Sequence, residues 1–340
     1  MSSFFICLAI LVSTALSQDE KITESSSSPE QRNSESAGFF PVELNGKWGY
    51  IDKTGKIVIS SKFNQAGYFS EGLAPVPIGR KVGFIDKTGK IVINPKFDNV
   101  GNFHEGLARV KIGIKWGYID KEGKIVIKPQ FREARDFYEG MAKVKINDKW
   151  GYIDKIGRIA IKPEYDEALD FSEGLAAVNI CGVMKGKWGY IDKRGKMIIK
   201  PEFDWTVFPF FEGLAAVKSG EKYGFIDKTG KLVIGAQFDK AYPFSDGLAP
   251  VKVSEKFGYI NRTGKVVIKP QFDFAFPFSE GLSVVEIGNK CGYIDRTGGI
   301  VINHRFDDAR NFYLGLAQVK VGDKWCYIDK SGKYVWEPAK

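Results

Sequence analysis

The sequence predicts an all-β repeat protein, and three observations lead to that prediction. A segment of the form Lys-aromatic-Gly-aromatic-Ile-Asp recurs with small changes nine times, nearly always 34 residues apart. The 340-residue chain has 38 Gly and 14% aromatic residues but only two His, which suits a turn-rich β protein better than a metalloenzyme or a His-based catalyst. No apolar run reaches the roughly 18 residues that a membrane-spanning helix needs.

Each unit contains three strand signals and a connector. In the third unit, the first strand signal is Leu107–Ile112, in which alternate residues share one face. The second is Lys115–Ile119, with two aromatic residues on one face. The third is Lys124–Lys128, a β-branched run that ends before Pro129, which cannot donate to a sheet. The unit is therefore predicted to be a three-stranded β-meander.

The turn between the second and third strands has an acid at its start and a glycine near its end. We expect the acid to open the turn and the glycine to adopt a positive φ angle. Asn261 replaces the acid once, which favours this turn over a row of carboxylates for cation binding or catalysis. The residues assigned structural roles in the repeat are Trp48, Trp116, Trp150, Trp188, Gly55, Gly89, Gly123 and Gly157.

The second and third strands are apolar on both faces, so neighbouring units must cover them and build one continuous core. Two arrangements satisfy this requirement. We favour an open, curved superhelical stack, because propeller blades usually have four strands over about 40 residues or more. The chain also begins with a first strand and ends with a third, so no split unit is left to close a ring. A closed β-propeller-like ring is the alternative.

The chain divides into three regions. Residues 1–17 contain an uncharged apolar stretch followed by a small-x-small site, which predicts a signal peptide that is cleaved before Gln18. Residues 18–38 are rich in Ser and Glu and predict a disordered tether. Residues 39–340 form the repeat array. The mature protein is therefore expected to be exported, to the periplasm, the cell surface or the medium, without a transmembrane segment.

The blocks of the form Lys-Trp-Gly-Tyr-Ile-Asp-Lys-x-Gly-Lys, best preserved at Lys47, Lys115, Lys149 and Lys187, resemble the bacterial WG-repeat family, also called KWG repeats. The resemblance covers residues 39–340. It implies a bacterial β-repeat protein, often exported, and it transfers no catalytic residue. The tryptophan is replaced in several units, so its position requires bulk more than indole chemistry; the departures from the motif are Val82, Tyr223, Phe257 and Cys291 for Trp and Cys326 for Gly.

Two irregular features are candidate sites. Cys291 and Cys326 are one repeat apart, and a disulfide is possible if their Cα atoms come within about 7 Å. The fifth connector is unusually aromatic, and Trp205, Phe208 and Phe211 are a candidate interaction patch. Alternatively, Trp205 covers a four-residue insertion in the preceding unit.

These features favour a non-enzymatic binding or scaffold protein for a protein or cell-envelope partner. The net charge of +9 suits an anionic envelope polymer, whereas nucleic acid is not expected outside the cell. No phosphate loop or nucleophile-base set is present, so we expect no cofactor. The alternative is a module for cell-wall carbohydrate, which needs exposed Trp or Tyr. A cleft with two titratable groups of opposed pKa shift would instead favour an enzyme.

Overall fold

The computed structural model describes residues 38–180, 186–204 and 207–338. The predicted signal peptide and nearly all of the predicted tether lie outside these residues. Every regular element in the described part of the chain is a β-strand, and the strands form nine antiparallel sheets of three or four strands. No described residues form a helix that is long and apolar enough to span a membrane.

Each sheet is one blade, and the blades follow one another along the chain. The strands of blades 1 to 3 are β1 (Phe40–Leu44), β2 (Lys47–Ile51), β3 (Ile57–Phe63), β4 (Ala74–Ile78), β5 (Lys81–Ile85), β6 (Ile91–Phe97), β7 (Asn99–His104), β8 (Leu107–Ile112), β9 (Lys115–Ile119) and β10 (Ile125–Phe131). Those of blades 4 to 6 are β11 (Glu133–Ala134), β12 (Ala142–Ile146), β13 (Lys149–Ile153), β14 (Ile159–Tyr165), β15 (Glu167–Ala168), β16 (Leu175–Asn179), β17 (Trp188–Asp192), β18 (Met197–Phe203), β19 (Leu214–Ser219), β20 (Lys222–Asp227) and β21 (Leu232–Phe238). Those of blades 7 to 9 are β22 (Lys240–Ala241), β23 (Leu248–Val253), β24 (Lys256–Asn261), β25 (Val266–Phe272), β26 (Phe274–Ala275), β27 (Leu282–Ile287), β28 (Lys290–Asp295), β29 (Ile300–Phe306), β30 (Asp308–Ala309), β31 (Leu316–Val321), β32 (Lys324–Asp329) and β33 (Tyr334–Trp336).

The predicted meander of three long strands is confirmed, and the connector adds a short fourth strand to most blades. In blade 4 this connector strand is β11, only two residues long, and it pairs with β12 through Ala134 and Val144. A two-residue strand shows no alternation of apolar and polar residues, so the sequence pattern could not reveal it.

The glycine that follows the tryptophan is needed because the third strand bulges over it. Trp48 pairs with Phe63 and Tyr50 pairs with Ile59, so the third strand has two more residues than its partner between these pairs. A Cβ atom on Gly49 would lie 2.5 Å from the carbonyl oxygen of Ile59. Cys326 replaces this glycine in blade 9, where β33 ends at Trp336 and does not pair alongside position 326.

The turn between the second and third strands forms as predicted. In blade 2, the Oδ1 atom of Asp86 accepts hydrogen bonds from the backbone nitrogen and hydroxyl of Thr88 at 2.9 and 2.6 Å, and from the backbone nitrogen of Lys90 at 3.1 Å. Asn261 accepts the equivalent three bonds in blade 7. Gly89 has a φ of 79°, and a Cβ atom there would lie 2.7 Å from the Ile59 side chain of the preceding blade. The other three predicted turn glycines also have positive φ: Gly55, Gly123 and Gly157.

Consecutive blades pack through aromatic pairs. Tyr118 of blade 3 contacts Phe137 of the following connector with ring centroids 4.9 Å apart, and both side chains are fully buried. The Tyr118 hydroxyl donates to the carbonyl of Arg135 at 2.7 Å. The same tyrosine-to-connector hydrogen bond recurs in five other blades, at Tyr50, Tyr152, Tyr190, Tyr259 and Tyr293. Each connector therefore fastens one blade to the next.

Blade 9 packs against blade 1, so the array is a closed, nine-bladed β-propeller-like ring. Phe40 contacts Tyr327 with ring centroids 5.4 Å apart, and the Tyr327 hydroxyl donates to the carbonyl of Pro41 at 3.1 Å. The Tyr68 hydroxyl donates to the Oε1 atom of Gln318 at 3.0 Å. The structure thus corrects our preference for an open superhelical stack and agrees with the alternative. The error came from the expectation that a ring closes only when the two ends of the chain share the strands of one blade. Here the ring closes by packing of side chains.

The residues at this closure differ from their counterparts in the other blades. Phe40 stands where most other blades have alanine, as at Ala74 and Ala108, and its ring lies against Tyr327 at the same 62° interplanar angle as Phe137 against Tyr118. Leu314 replaces the acid found in the preceding blades and packs against an apolar cluster that includes Phe40. The irregular end units therefore close the ring instead of capping a rod.

Replacing Phe40 with alanine tests the closure. We expect Phe40→Ala to lower the free energy of unfolding by about 3–5 kcal/mol, because the side chain is fully enclosed between the first and last blades. Phe39→Ala is the matched control and should cost less, since Phe39 is only partly buried. Urea unfolding measures both. A loss below about 1 kcal/mol for Phe40→Ala would show that this residue lies at an open end.

Replacing Asp86 tests the turn. We expect Asp86→Ala to lower Tm by roughly 2 °C, whereas Asp86→Asn should be nearly neutral at pH 7, because Asn261 already fills this role in blade 7. The hydrogen bond from Thr88 is the largest cause that lowers the pKa of Asp86. The ionised Asp86 carboxylate therefore stabilises the fold above pH 3.8, and this stabilisation is lost as the pH falls through the lowered pKa of Asp86. Tm measured against pH should show this loss in the wild type and a smaller one in Asp86→Asn.

Candidate functional site at the seam of the ring

A connector crosses each of the eight junctions between consecutive blades. The junction between blades 6 and 7, which we call junction 6/7, shows how the connector is held. The Asp239 carboxylate accepts hydrogen bonds from the Lys222 ammonium at 2.5 Å and from the backbone nitrogen of Ser254 at 2.7 Å. The backbone nitrogen of Asp239 donates to the carbonyl of Lys252 at 2.9 Å, and that of Tyr242 donates to the carbonyl of Pro250 at 3.0 Å. The connector is thus anchored by its acid and paired as a strand.

The acid of the connector is a recurrent anchor. The hydrogen bond from the Lys222 ammonium is the main cause that lowers the pKa of Asp239, and Asp98, Asp273 and Asp307 are shifted in the same direction by the equivalent lysines. Junction 3/4 has Arg132 at this position, and Arg132 pairs with Asp148 of the next hairpin. At this junction the connector carries the basic residue and the neighbouring blade carries the acid, so the two blades still attract each other.

The seam, which we define as the junction of blade 9 with blade 1, has no connector among the described residues. The chain passes out of β33 toward Pro338, and β1 is the edge strand of the sheet β1-β2-β3. A cleft of about 480 Å³ lies along this edge. Its walls are Pro41, Val42, Glu43, Asn45, Gly46, Trp48, Ala66, Tyr68, Arg310, Gln318, Asp323, Lys324, Trp325, Tyr327, Trp336 and Pro338.

The cleft combines aromatic surfaces with polar groups. Trp48, Trp325 and Trp336 are partly exposed, and Tyr68 is 36% exposed. The Arg310 guanidinium lies 5.1 Å from the centre of the Trp325 ring. Such rings offer flat apolar faces to a sugar or to a peptide side chain. The carboxylates of Glu43 and Asp323 and the ammonium of Lys324 also belong to the cleft wall.

Tyr327 contributes a neutral, hydrogen-bonded hydroxyl to the cleft wall. Burial is the largest cause that raises the pKa of Tyr327 well above its ordinary value, so the hydroxyl keeps its proton at physiological pH. The hydroxyl accepts a hydrogen bond from Nε2 of Gln318 at 2.7 Å and donates to Pro41. In the six blades noted above, the equivalent hydroxyl donates to a connector carbonyl. Tyr327 instead donates to the backbone of β1.

A second polar cluster lies in blades 3 to 5. Arg109 and Asp136 form an ion pair at 3.0 Å between Nε and Oδ1, and the Lys143 ammonium lies 3.8 Å from an oxygen of Asp170. Burial is the largest cause of both shifts in this cluster, and it raises the pKa of Asp136 and lowers the pKa of Lys143. These are the opposed shifts that we named as a sign of catalysis.

The contacts of this cluster indicate a structural role. Arg109 donates to the carbonyl of Ala134 at 2.9 Å, and Lys143, one blade further, donates to the carbonyl of Ala168 at 2.7 Å. Both side chains thus tie a first long strand to the connector strand of the next blade. A Cβ atom at Gly101 would lie 2.5 Å from the Asp136 carboxylate, so that glycine makes room for the ion pair. In residues 38–180, 186–204 and 207–338, no His, Cys, Asp or Glu side chains form a group of three that could hold a metal ion.

The structure separates the residues that the sequence singled out. Trp150 is buried beneath Lys143 and Lys145, and Trp116 lies under Arg109 and Lys111, so both are packed within closed junctions. Trp188 is partly buried in the core of blade 5, and Trp48 alone of the four lies in the cleft.

The structure also places the aromatic connector and the two cysteines. Phe208 and Phe211 are buried in the core, so they do not form an exposed patch, while Trp205 lies outside the described residues. Cys291 and Cys326 are both buried thiols and no disulfide joins them. Each fills a core position of its own blade.

Sequence reasoning missed the cleft, although one signal pointed to it. Phe39 and Phe40 replace the Leu-Ala pair that begins most other first strands. This signal has meaning only once the ring is closed, because only then does the last unit meet the first.

The chain was also compared with known proteins. The sequence profile of the WG-containing repeat matches residues 48–81, 83–116, 116–150, 150–180, 188–223, 223–257, 257–291 and 292–325. No curated protein sequence gives a significant match. Similar solved structures include apo AztD from Citrobacter koseri, 12% identical, covering 88% of this chain and 94% of that chain with a TM-score of 0.44.

Two further structures are similar to this chain. The dihydro-heme d1 dehydrogenase NirN is 12% identical and covers 91% of this chain and 75% of that chain, with a TM-score of 0.47. PorZ of Porphyromonas gingivalis, a surface component of the type-IX secretion system, is 11% identical and covers 90% of this chain and 51% of that chain, with a TM-score of 0.34. The eight consecutive profile matches cover most of the chain, which therefore belongs to the WG-containing repeat family.

Proposed function

We propose that this protein is an exported, non-enzymatic binding module that holds a segment of a protein or cell-envelope partner in the seam cleft. The observation that carries the proposal is the cleft along the edge of β1, where no described strand pairs with β1 and three partly exposed tryptophans form part of the wall. At the other junctions a connector covers the equivalent surface, as at Asp239–Ala241. The rest of the ring then serves as a rigid frame that sets the two walls of the cleft.

Export is supported by the apolar stretch and the cleavage site in residues 1–17. The non-enzymatic role is supported by the contacts of the Arg109 and Lys143 side chains, which end on backbone carbonyls of connector strands. Their opposed pKa shifts follow from burial in a closed junction, away from the seam cleft. We therefore assign these residues to the stability of the ring.

A carbohydrate ligand is the second candidate, and the tryptophans of the cleft favour it. Trp48, Trp325 and Trp336 are partly exposed around one cleft, with the Arg310 guanidinium over the Trp325 ring, whereas Trp150 is buried beneath two lysines. Sugars commonly stack on such partly exposed rings, because their C–H faces are apolar. A cell-wall glycan is the carbohydrate that an exported bacterial protein would meet.

The test uses the full chain, labelled and applied to a peptide display library and to a glycan array. We expect ligands whose binding falls on the order of tenfold or more in Trp325→Ala, because this ring forms part of the cleft wall. Trp116→Ala is the matched control, since it removes the equivalent tryptophan from a closed junction. The thermal midpoint of each variant confirms that it is folded.

Peptide ligands would support the first candidate, and glycan ligands would support the second. Washing at physiological and at high salt separates binding in the cleft from attraction to the net charge of +9, since the latter is lost at high salt. Equal binding to both tryptophan variants, or binding to neither library, would contradict a role for the seam cleft.

A further inference from the structure

We propose that the hairpin tips of blades 2 and 3 form a second binding site, which attaches one edge of the ring to an anionic lipid surface. The site, which we call the hairpin patch, consists of Ile78, Arg80, Ile112, Ile114 and Lys115. These residues lie in the hairpins β4-β5 and β8-β9, which join the first and second long strands of their blades. The wall of the seam cleft contains none of them, so the hairpin patch is a separate site.

The apolar part of the hairpin patch centres on Ile114. This side chain is 79% exposed, which is the highest exposure of any large apolar side chain that the structure describes. Ile112 of the same hairpin is 40% exposed, and Ile78 of the neighbouring hairpin is 37% exposed. A single exposed isoleucine needs no functional explanation, but isoleucines in neighbouring hairpins offer a shared apolar surface.

The hairpin tip of blade 3 is held in a fixed position. Ile112 pairs with Lys115, so the turn has only two residues, and Gly113 is the first of them with a φ of 62°. The backbone nitrogen of Gly113 donates to Oδ2 of Asp98 at 2.8 Å. The Oδ1 atom of Asp98 accepts a hydrogen bond from the Lys81 ammonium of the blade 2 hairpin at 2.6 Å. Asp98 thus fastens the two hairpins to each other, and the patch is assembled before any ligand binds.

The two bases of the hairpin patch have no ion pair among the described residues. Most other connectors place an acid beside the lysine that begins the second long strand, as Asp239 is placed beside Lys222. Junction 3/4 has Arg132 at this position, so no connector acid meets Lys115. Arg80 is exposed at the tip of the blade 2 hairpin. The patch therefore combines its apolar side chains with two available positive charges.

The opposite side of the same face carries the opposite charge. The residue before the lysine of the second long strand is Arg80 in blade 2, but it is Glu221, Glu255 and Asp323 in blades 6, 7 and 9. The side chains of Glu221 and Glu255 are 96% and 92% exposed. An anionic surface would therefore attract blades 2 and 3 and repel blades 6, 7 and 9. This polarity fixes which edge of the ring approaches the surface.

The shape of the hairpin patch favours a lipid surface over a partner protein. An isoleucine at the tip of a two-residue turn projects outward, so it can sink among acyl chains while the neighbouring bases stay with the headgroup phosphates. A stable protein interface typically takes about 20–30 residues from each side, whereas the patch has five. Reversible attachment to a membrane needs only a small apolar group combined with positive charge.

Blade 4 supplies a comparison within the same chain. Ile156 is 65% exposed and lies close to two basic residues. However, Lys155 pairs with Glu105 at 3.1 Å, and Arg158 pairs with Asp154 at 2.7 Å. The turn that contains Ile156 follows the end of β13, whereas the hairpin tips precede the second long strands, so Ile156 lies on the opposite face of the ring. Ile156 is therefore a matched control, because it is an exposed isoleucine whose neighbouring charges are already paired.

Cosedimentation with lipid vesicles tests the proposal. The chain from Gln18 onward is used, because an apolar signal peptide itself inserts into lipid, and this chain keeps every described strand. The vesicles contain either phosphatidylglycerol with phosphatidylethanolamine or phosphatidylcholine alone. We expect binding to the anionic vesicles, binding on the order of tenfold weaker to the neutral ones, and release from the anionic vesicles at high salt.

Protein variants locate the contact. Ile114→Ser should weaken binding to anionic vesicles on the order of tenfold, because the apolar side chain is no longer removed from water. Ile156→Ser should bind as the wild type does. Lys115→Ala should weaken binding about fivefold. Lys222→Ala removes the same charge from an ion-paired lysine, so it should have little effect. The thermal midpoint of each variant confirms that it is folded.

Three results would overturn the proposal. Equal binding to anionic and neutral vesicles would remove the role of the bases. Equal losses in Ile114→Ser and Ile156→Ser, or in Lys115→Ala and Lys222→Ala, would show that the patch is not the point of contact. Loss in Lys115→Ala with normal binding of Ile114→Ser would show attraction to charge without insertion into lipid. Trp325→Ala should leave vesicle binding unchanged, so this inference and the proposed function stand or fail separately.

Discussion

The structure depends on one constraint, which is that no blade can bury both of its faces alone. The core residues of each second long strand, such as Tyr118 and Ile119, are fully buried, and they belong to the interfaces with two different neighbouring blades. An open array of such units would leave one apolar face bare at each end. Closure into a ring removes both bare faces at once, and within residues 38–338 no strand of the first blade pairs with the sheet of the last. The burial of Phe40, Leu316 and Tyr327 in one cluster is therefore the contact through which the ring closes.

When a ring closes by side-chain packing, one junction lacks the covering strand that an exchange of strands between the two ends would have supplied. Between consecutive blades the chain itself must cross, and its crossing segment covers the edge of the first long strand. At the seam the described chain has no such segment, so β1 keeps an uncovered edge and Trp48 and Trp325 stay partly exposed. Phe40 and Leu314 repair only the apolar end of this junction. Function is to be expected where the sequence departs from the repeat, because the repeated residues already have structural roles.

The sequence was sufficient for those parts of the fold that repeat. The meander, the turn acid and the turn glycine were predicted because each depends on residues within one unit, as Asp86, Thr88 and Gly89 do. The closed ring was only the alternative to the favoured open stack, because closure depends on the accumulated rotation of nine units, and no single unit encodes that angle in its apolar pattern. The cleft was missed for the same reason, since Phe40 and Tyr327 meet only after closure. Phe208 looked like surface because the connector is irregular, but an irregular connector is packed against two blades and is as buried as a strand.

The lysines of the repeat carry a further consequence for binding. The net charge of +9 suggested an affinity for anionic polymers, yet the lysine that opens the second long strand is held by a connector acid at most junctions, as in Lys81 with Asp98 and Lys256 with Asp273. Another set pairs with the acid of the connector that leads into the preceding blade, as in Lys121 with Glu71 and Lys330 with Glu280. The lysine of each pair is exposed, so each pair adds little stability, but together the pairs hold neighbouring turns in register. A charge that is already paired within the ring attracts a distant polyanion weakly. Under the proposed function, recognition would therefore rest on the shape and the tryptophan faces of the seam cleft more than on the net charge.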